Sequence, residues 1–301
     1  MDPPIAVILN AQSGARNGEP TRQTLEALFR AHGRSVEISV APDQEMKMLA
    51  EQRARSDVDL IVAAGGDGTI ACVAAALVGT NKTLGVLPLG TLNHFSKDLG
   101  IPQDLGEAVR TVVTGHSIQV DVGDVNGRIF LNNSCLGVYP LMVMDRESQQ
   151  QRLGRGKWLA FVWATLHVLH RYPLLDMRIM VEGQKLFWRT PFVFVGNNAY
   201  TLAGLDLGGR LTLQAGKLGL YVTRNTGRSG LFRLLARAVC GRLDQATDFN
   251  AFCVEEAWIE TRRRRLLVAT DGEVTPMASP LHFRTRPGAL RVQVPRPPEP
   301  G

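Results

Sequence analysis

The segment Leu60-Ile-Val-Ala-Ala-Gly65-Gly66-Asp67-Gly68-Thr69-Ile70 constrains the fold more than any other in the chain. Its unbroken apolar run reads as a strand covered on both faces, the kind found in parallel sheets. The run ends on two glycines, and a helical pattern resumes at once over Ile70 to Leu77. Glycines let backbone approach another group closely, and a helix start presents free N–H groups at the positive end of a dipole. Asp67 can orient the turn or hold a metal-bound water, while Thr69 can cap the helix or donate to a phosphate. The plain alternative is an ordinary turn built on Asp-Gly. The segment lacks the Gly-Lys-Ser/Thr ending of a P-loop and does not fit GxGxxG.

The same grammar runs through the first hundred or so residues. Ile5 to Leu9 is an apolar strand ending at Asn10, followed by a polar, glycine-bearing loop (Ala11 to Gly18) and an amphipathic stretch from Thr21 to His32. Val36 to Val40, then Gln44 to Arg55, repeat strand and helix, and Thr83 to Leu87 is a fourth strand. Strands alternating with helices of this length predict a doubly wound parallel sheet with right-handed crossovers. Three loops then share its carboxyl edge, where such folds bind ligands. They carry Asn10, Ser13 and Gly14; Gly65, Gly66, Asp67, Gly68 and Thr69; and Gly90, Thr91 and Asn93.

After about Val120 the pattern becomes short strands, read at 120–125, 128–132, 177–181, 185–188, 191–195, 211–213, 218–222, 257–261 and 265–269. Asn126-Gly127 and Glu182-Gly183 sit at the two-residue spacing of tight hairpins. This half is predicted to be a mainly antiparallel β-sandwich, interrupted by helices near 156–171 and 228–243, with a Pro-rich tail from Pro295. The domains expected are 1–120, with 287–301 returning to it, and 121–286. Asp271-Gly272-Glu273 ends a strand with two carboxylates around a glycine. That arrangement can place a general base beside a metal ligand, although Asp-Gly is also a common hairpin turn.

Composition narrows the classes. Four scattered cysteines without a CxxC pair read as free thiols of a reducing compartment. No basic leader and no span of about 18 apolar residues is found, so a cytoplasmic protein is expected. A net charge of +6 suits nucleotides, nucleic acid or an anionic membrane face. Aromatics at 6% do not interleave with the basic residues, which argues against nucleic acid.

Taken together and in order, Asn10…Ser13-Gly14, Gly65-Gly66-Asp67-Gly68-Thr69, Gly90-Thr91-Leu92-Asn93 and Asp271-Gly272-Glu273 resemble the diacylglycerol kinase catalytic-domain family, which includes bacterial lipid kinases, sphingosine kinases and ceramide kinases. The resemblance spans essentially the whole chain, including Leu153-Gly-Arg-Gly-Lys157. It implies ATP and Mg²⁺, with Asn10, Ser13 and Gly14 lining the nucleotide site and Gly65 to Thr69, Thr91 and Asn93 around the phosphates. Glu273 would accept the proton of a lipid hydroxyl, and Asp271 and Asp67 would complete a magnesium-linked network. It further implies a lipid substrate met at the inner membrane face, and it allows a homodimer. An NAD kinase, which shares Gly-Gly-Asp-Gly, and a nucleotide- or lipid-binding regulator without turnover are the alternatives. Two departures stand out: His94 occupies the position of an aspartate that usually follows Gly-Thr-x-Asn, and Ala215-Gly216 stands where bacterial members often carry Asp-Gly for a structural magnesium. Trp158 to Leu169, between basic ends, could dip into a membrane interface, and Arg262 to Arg265 reads as a solvated hairpin tip or a headgroup contact.

Overall fold

The computed structural model describes residues 5–13, 19–137, 175–181, 183–203, 206–210, 212–223 and 249–297. Gly14, Glu182, the segment 153–157, both expected helices of the second half and the end of the Pro-rich tail lie outside these residues. The chain divides into two compact units, 1–122 with 287–301, and 123–286.

In the first unit, β1 (Ile5–Asn10), β2 (Val36–Ala41), β3 (Leu60–Gly65) and β4 (Thr83–Pro88) alternate with α1 (Glu19–Ala31), α2 (Asp43–Ala54) and α3 (Asp67–Leu77). Two helices follow, α4 (His94–Asp98) and α5 (Leu105–Thr114), then β5 (His116–Val125). The strand order is β2-β1-β3-β4, all parallel, and β4 takes the far end of β18 (Leu281–Val294) as a further parallel neighbour through Arg291 and Val292. Every residue of β1 is buried, as an internal parallel strand requires, whereas the edge strand β2 is mostly half-exposed. Leu25 and Phe29, four apart on α1, are both fully buried, the apolar stripe of an amphipathic helix. Asp104 caps α5 by accepting from the Glu107 N–H at 3.1 Å. The parallel α/β reading of this half is what the fold shows.

The second unit is a sandwich of antiparallel sheets. One layer contains β9 (Gln184–Thr190), β8 (Leu175–Val181), β15 (Glu256–Thr261) and the first half of β18. The other runs β14 (Phe249–Val254), β13 (Leu218–Thr223), β10 (Phe192–Asn197), β7 (Asn133–Gly137), β16 (Arg265–Thr270), β17 (Glu273–Ala278). Their facing sides supply one apolar core that includes Ile179, Ile259, Phe283, Val195, Leu220 and Val268. β5 turns into β6 (Arg128–Phe130) at Asn126-Gly127, both with positive φ, as a two-residue hairpin demands. A small pair, β11 (Tyr200–Ala203) and β12 (Asp206–Arg210), stands beside the second layer in sequence.

Three details differ from the sequence reading. The strand expected over 128–132 stops at Phe130, because the N–H groups of Leu131 and Asn132 point to a carboxylate instead of a neighbouring strand. The strand expected at 211–213 lies earlier, at β12. Arg262–Arg264 is not a hairpin tip, since β15 and β16 belong to different sheets and the segment carries the chain from one layer to the other.

Candidate active site

In the first unit the three loops at the carboxyl edge are tied to one another. Asn10, at the end of β1, donates through Nδ2 to Asp43 Oδ1 at 2.6 Å and to Thr69 Oγ1 at 2.9 Å. Its Oδ1 accepts from the Gln12 N–H at 2.8 Å, and its carbonyl from Ser13 N–H at 3.0 Å, which folds the first loop back on itself. The Asn10 amide is therefore spent inside the protein. Thr69 is likewise buried, with its hydroxyl beneath the turn and facing Asn10.

The second and third loops touch through backbone. A Cβ on Gly90 would lie 2.6 Å from Gly66 Cα, and a Cβ on Gly65 would lie 2.5 Å from Thr69 Cβ, so packing alone demands glycine at both. Gly68 differs. A Cβ there would meet nothing within 4 Å, its φ is not positive, and it stands exposed in the first turn of α3. A glycine in a helix is worth about 1 kcal/mol less than alanine. Among the described residues nothing packs against this position. Gly66 is the N-cap of α3 and offers no side-chain cap, leaving the first-turn N–H groups of an 11-residue helix open to an anion.

Asp67 links this turn to the next element. Its Oδ1 accepts from the Phe95 N–H at 3.3 Å, in the first turn of α4, while among the described residues Oδ2 has no partner. Asn93, the N-cap of α4, is left-handed at φ 53° and buried. Its Nδ2 donates to Gly90 O at 2.9 Å and to Gln103 Oε1 at 3.1 Å, which closes the third loop. Asn93 Oδ1 has no protein partner. Thr91 and His94 are exposed. Of the expected nucleotide contacts, Thr91 is exposed, Ser13 and Asp67 are half-buried, the α3 N-terminus has no side-chain cap, and Asn10, Thr69 and the Asn93 amide nitrogen turn inward.

In the second unit, Asp271 and Gly272 form the turn between β16 and β17, with φ of 48° and 87°. Both residues of such a turn need positive φ, and Asp-Gly is a preferred pair there. The Asp271 side chain does more than turn the chain. Oδ2 accepts from Leu131 N–H at 2.7 Å, and Oδ1 accepts from Asn132 and Asn133 N–H at 2.8 and 3.1 Å. Burial pushes this carboxyl up from the ordinary range, while the three N–H groups and the Arg210 charge pull it back down. Arg210 is buried on the other side of the same backbone loop. It donates to Leu131 O, to Asn197 O at 3.2 Å and to Asn132 Oδ1 at 2.9 Å. The 131–133 peptides therefore sit between a buried anion and a buried cation.

Glu273 begins β17 and is largely exposed, with its Oε2 2.6 Å from Arg128 Nη2. Arg128 is itself fixed, donating from Nε to Thr270 Oγ1 and from Nη1 to Thr275 Oγ1, each at 2.8 Å. The fork holds the carboxylate in one place relative to the turn. Sequence reasoning missed Arg128, Arg210, Asp43 and Gln103. Arg128 had a signal, since it follows the Asn126-Gly127 turn in a strand, but its partner lies 145 residues away in a pairing that only the fold creates.

A doubly wound α/β unit with a glycine turn at its carboxyl edge, joined to an antiparallel sandwich carrying an Asp-Gly-Glu turn, is the architecture of a class of phosphoryl-transferring kinases. Residues 4–125 match the diacylglycerol kinase catalytic domain, and residues 142–294 match the YegS C-terminal NAD kinase beta sandwich-like domain. The chain belongs to the diacylglycerol kinase catalytic-domain family, a family of kinases with ATP as co-substrate. It is similar to the probable lipid kinase YegS of Salmonella gallinarum (strain 287/91 / NCTC 13346), 27% identical over 305 residues that cover 97% of this chain and 96% of that protein. The probable lipid kinase YegS of Salmonella newport (strain SL254) is also 27% identical, over 304 residues. Among solved structures, a diacylglycerol kinase from Bacillus anthracis str. Sterne superposes with a TM-score of 0.68 at 21% identity, covering 96% of each chain. A yeast NADH kinase complexed with NADH shares the fold at a TM-score of 0.56 and 12% identity, covering 99% of this chain and 85% of that one.

Proposed function

We propose that this chain transfers the γ-phosphoryl group of ATP to the hydroxyl of a membrane lipid such as diacylglycerol or a long-chain base. The observation that carries the nucleotide half is Gly68, a helical glycine with open space at its Cβ position and no backbone need for it. A polyphosphate lying against the uncapped N-terminus of α3 explains it, because a side chain there would stand where the phosphate must come. Ser13 and Thr91 offer hydroxyls beside the same edge, and Asn10 and Asn93 shape the loops from within.

Phosphoryl transfer depends mainly on positioning and charge neutralisation, since little covalent work falls to the protein. In this reading Glu273 accepts the proton of the lipid hydroxyl as the oxygen attacks. Arg128 fixes the direction of that carboxylate, and Asp271 fixes the turn that carries it. The proton transferred needs only a modestly basic group in a loose transition state, so an ion-paired glutamate suffices.

Magnesium fits one of its two expected ligands. Asp67 keeps a free carboxylate oxygen beside the turn, and this ion is commonly held by one or two carboxylates plus substrate phosphates. Asp271 does not fit: three backbone N–H groups take most of its lone pairs, and it is a structural anchor instead. Among the described residues no group of three His, Cys, Asp or Glu side chains could hold a metal ion. When bound, magnesium would neutralise phosphate charge beside Asp67.

The test is a transfer assay with γ-labelled ATP, offered in parallel mixed-lipid micelles and NAD. Label extracted into the organic phase is expected, and mass spectrometry of that phase identifies the acceptor. Label in NADP with none in lipid would overturn the reading in favour of the NAD kinase alternative. Nucleotide binding without any transfer would favour a regulator.

A further inference from the structure

β8, β9, β15 and the segment that follows β15 form one surface of the sandwich unit. A shallow groove of about 550 Å³ lies there, lined by Asp176, Arg178, Phe187, Arg189, Glu260 and Arg262 among others. Register explains how these side chains share one face. Arg178 pairs with Phe187 across β8 and β9 and with Glu260 across β8 and β15, and Asp176 pairs with Arg189. Alternation sends their neighbours Met177, Ile179 and Ile259 the other way, into the core.

Two properties of this face are unusual together. Phe187 is 72% exposed, with the Arg178 guanidinium 5.4 Å from its ring centroid. Arg262 lines the same groove, and Arg263 and Arg264 follow it in the exposed segment that leaves β15; among the described residues none of these three guanidinium groups makes an ion pair or hydrogen bond. Among the described residues the carboxylates that line the groove, Asp176 and Glu260, already face Arg189 at 3.7 Å and Arg178 at 4.0 Å. Such exposed pairs contribute little and are displaced easily. Among the described residues this face and its edge therefore carry three uncompensated cations next to an unburied aromatic ring. Folding alone gives no reason to gather like charges in this way.

We propose that this face docks the sandwich unit on an anionic lipid bilayer, with Phe187 entering the headgroup boundary and Arg262 to Arg264 meeting lipid phosphates. The proposal gives the lipid-kinase reading its route to substrate and rests on that reading for its purpose, while the charge and exposure that carry it are independent of it. Arginine heads with apolar stems suit an interface where one end is wet and the other is not. A second copy of the chain is a poor occupant, because two such faces would bring the same cations together. A polynucleotide is also disfavoured: one face of the Phe187 ring is taken by Arg178, and the groove's other aromatic, Trp188, packs against the core.

The experiment is vesicle co-sedimentation of the full chain with phosphatidylcholine alone and with phosphatidylcholine partly replaced by phosphatidylglycerol. Wild type should partition to the anionic vesicles only, and added salt should release it as the Debye length shortens. R262S/R263S/R264S should weaken that partitioning on the order of a hundredfold, since each cation near a charged bilayer contributes about 1 kcal/mol. Phe187→Ser should weaken it severalfold without changing the salt dependence, and lysines at the three arginine positions should restore it. Replacing Arg30, Arg55 and Arg110, exposed on the other unit, by serine should leave it unchanged. Matching thermal unfolding and unaltered transfer to micellar lipid show that the variants fold and that the chemistry is separate. Undiminished sedimentation of R262S/R263S/R264S, loss of binding to an oligonucleotide with vesicle binding intact, or an equal loss in the Arg30/Arg55/Arg110 control would each overturn the proposal. Arginine-dependent vesicle binding by a protein that labels no lipid would uphold the docking face and remove the lipid-kinase reading instead.

Discussion

A Cβ at position 68 would meet nothing of the protein, so Gly68→Ala should leave thermal unfolding unchanged or raise stability by up to about 1 kcal/mol. The same methyl should lower ATP affinity tenfold or more, measured by titration calorimetry, because it stands on the phosphate's side of the helix. A variant that loses stability, or keeps full affinity, would return Gly68 to the status of a turn residue. Asp271 is the opposite kind of residue. Removing its side chain leaves three N–H groups without their acceptor, so Asp271→Ala should cost about 3 kcal/mol or more in chemical denaturation. Its folded pKa is raised above the unfolded value, which makes the native state the tighter proton binder. The associated stability is thus fully present below an unfolded pKa of about 3.9 and declines as pH rises through the folded value. Asp271→Asn should flatten that part of the wild-type stability curve. A slope of opposite sign would mean that the N–H bonds and Arg210 outweigh burial.

At the scale of elements, β18 is where one strand serves both units. Leu290 and Val292 lie fully buried in its far half, whose Val292 registers with Leu84 on β4. Leu290→Ala should cost about 2–5 kcal/mol. Hydrogen exchange should show the loss in β4 and β3 of the first unit; faster exchange confined to β8 and β15 would contradict the pairing. The strands read correctly from sequence include those buried on both faces, β1, β3 and β4, and those flanked by a glycine turn, β5 and β8, together with β2, β9, β10, β13, β15 and β16. β17 and β18 were missed because each contains a proline, Pro276 and Pro287, which sequence reading takes as a break; β17 tolerates it as the last strand of its sheet. β7 (Asn-Ser-Cys-Leu-Gly) has no alternation to detect, its polar residues being buried with the rest. α5 was legible through its Asp104…Glu107 start and went unread. In the site, glycines announced themselves, while Arg128 and Arg210 did not, because an arginine's partner is set by folding and not by spacing.

At the scale of the molecule, the two units carry different parts of the proposed chemistry. One offers an uncapped helix start, Asp67 and a glycine without internal cause, and the other offers a glutamate clamped by Arg128 on a turn anchored by Asp271. Among the described residues no helix is long and apolar enough to cross a membrane. The division makes a sharp demand: binding of nucleotide and transfer of its phosphate should be separable by mutation. The most direct measurement compares wild type and Glu273→Gln for ATP affinity and for single-turnover label transfer to lipid. ATP affinity should stay within about twofold, and the transfer rate should fall by about 10²–10⁴, the range of a positioned general base. A variant that transfers at the wild-type rate, or loses ATP binding along with transfer, would contradict the account.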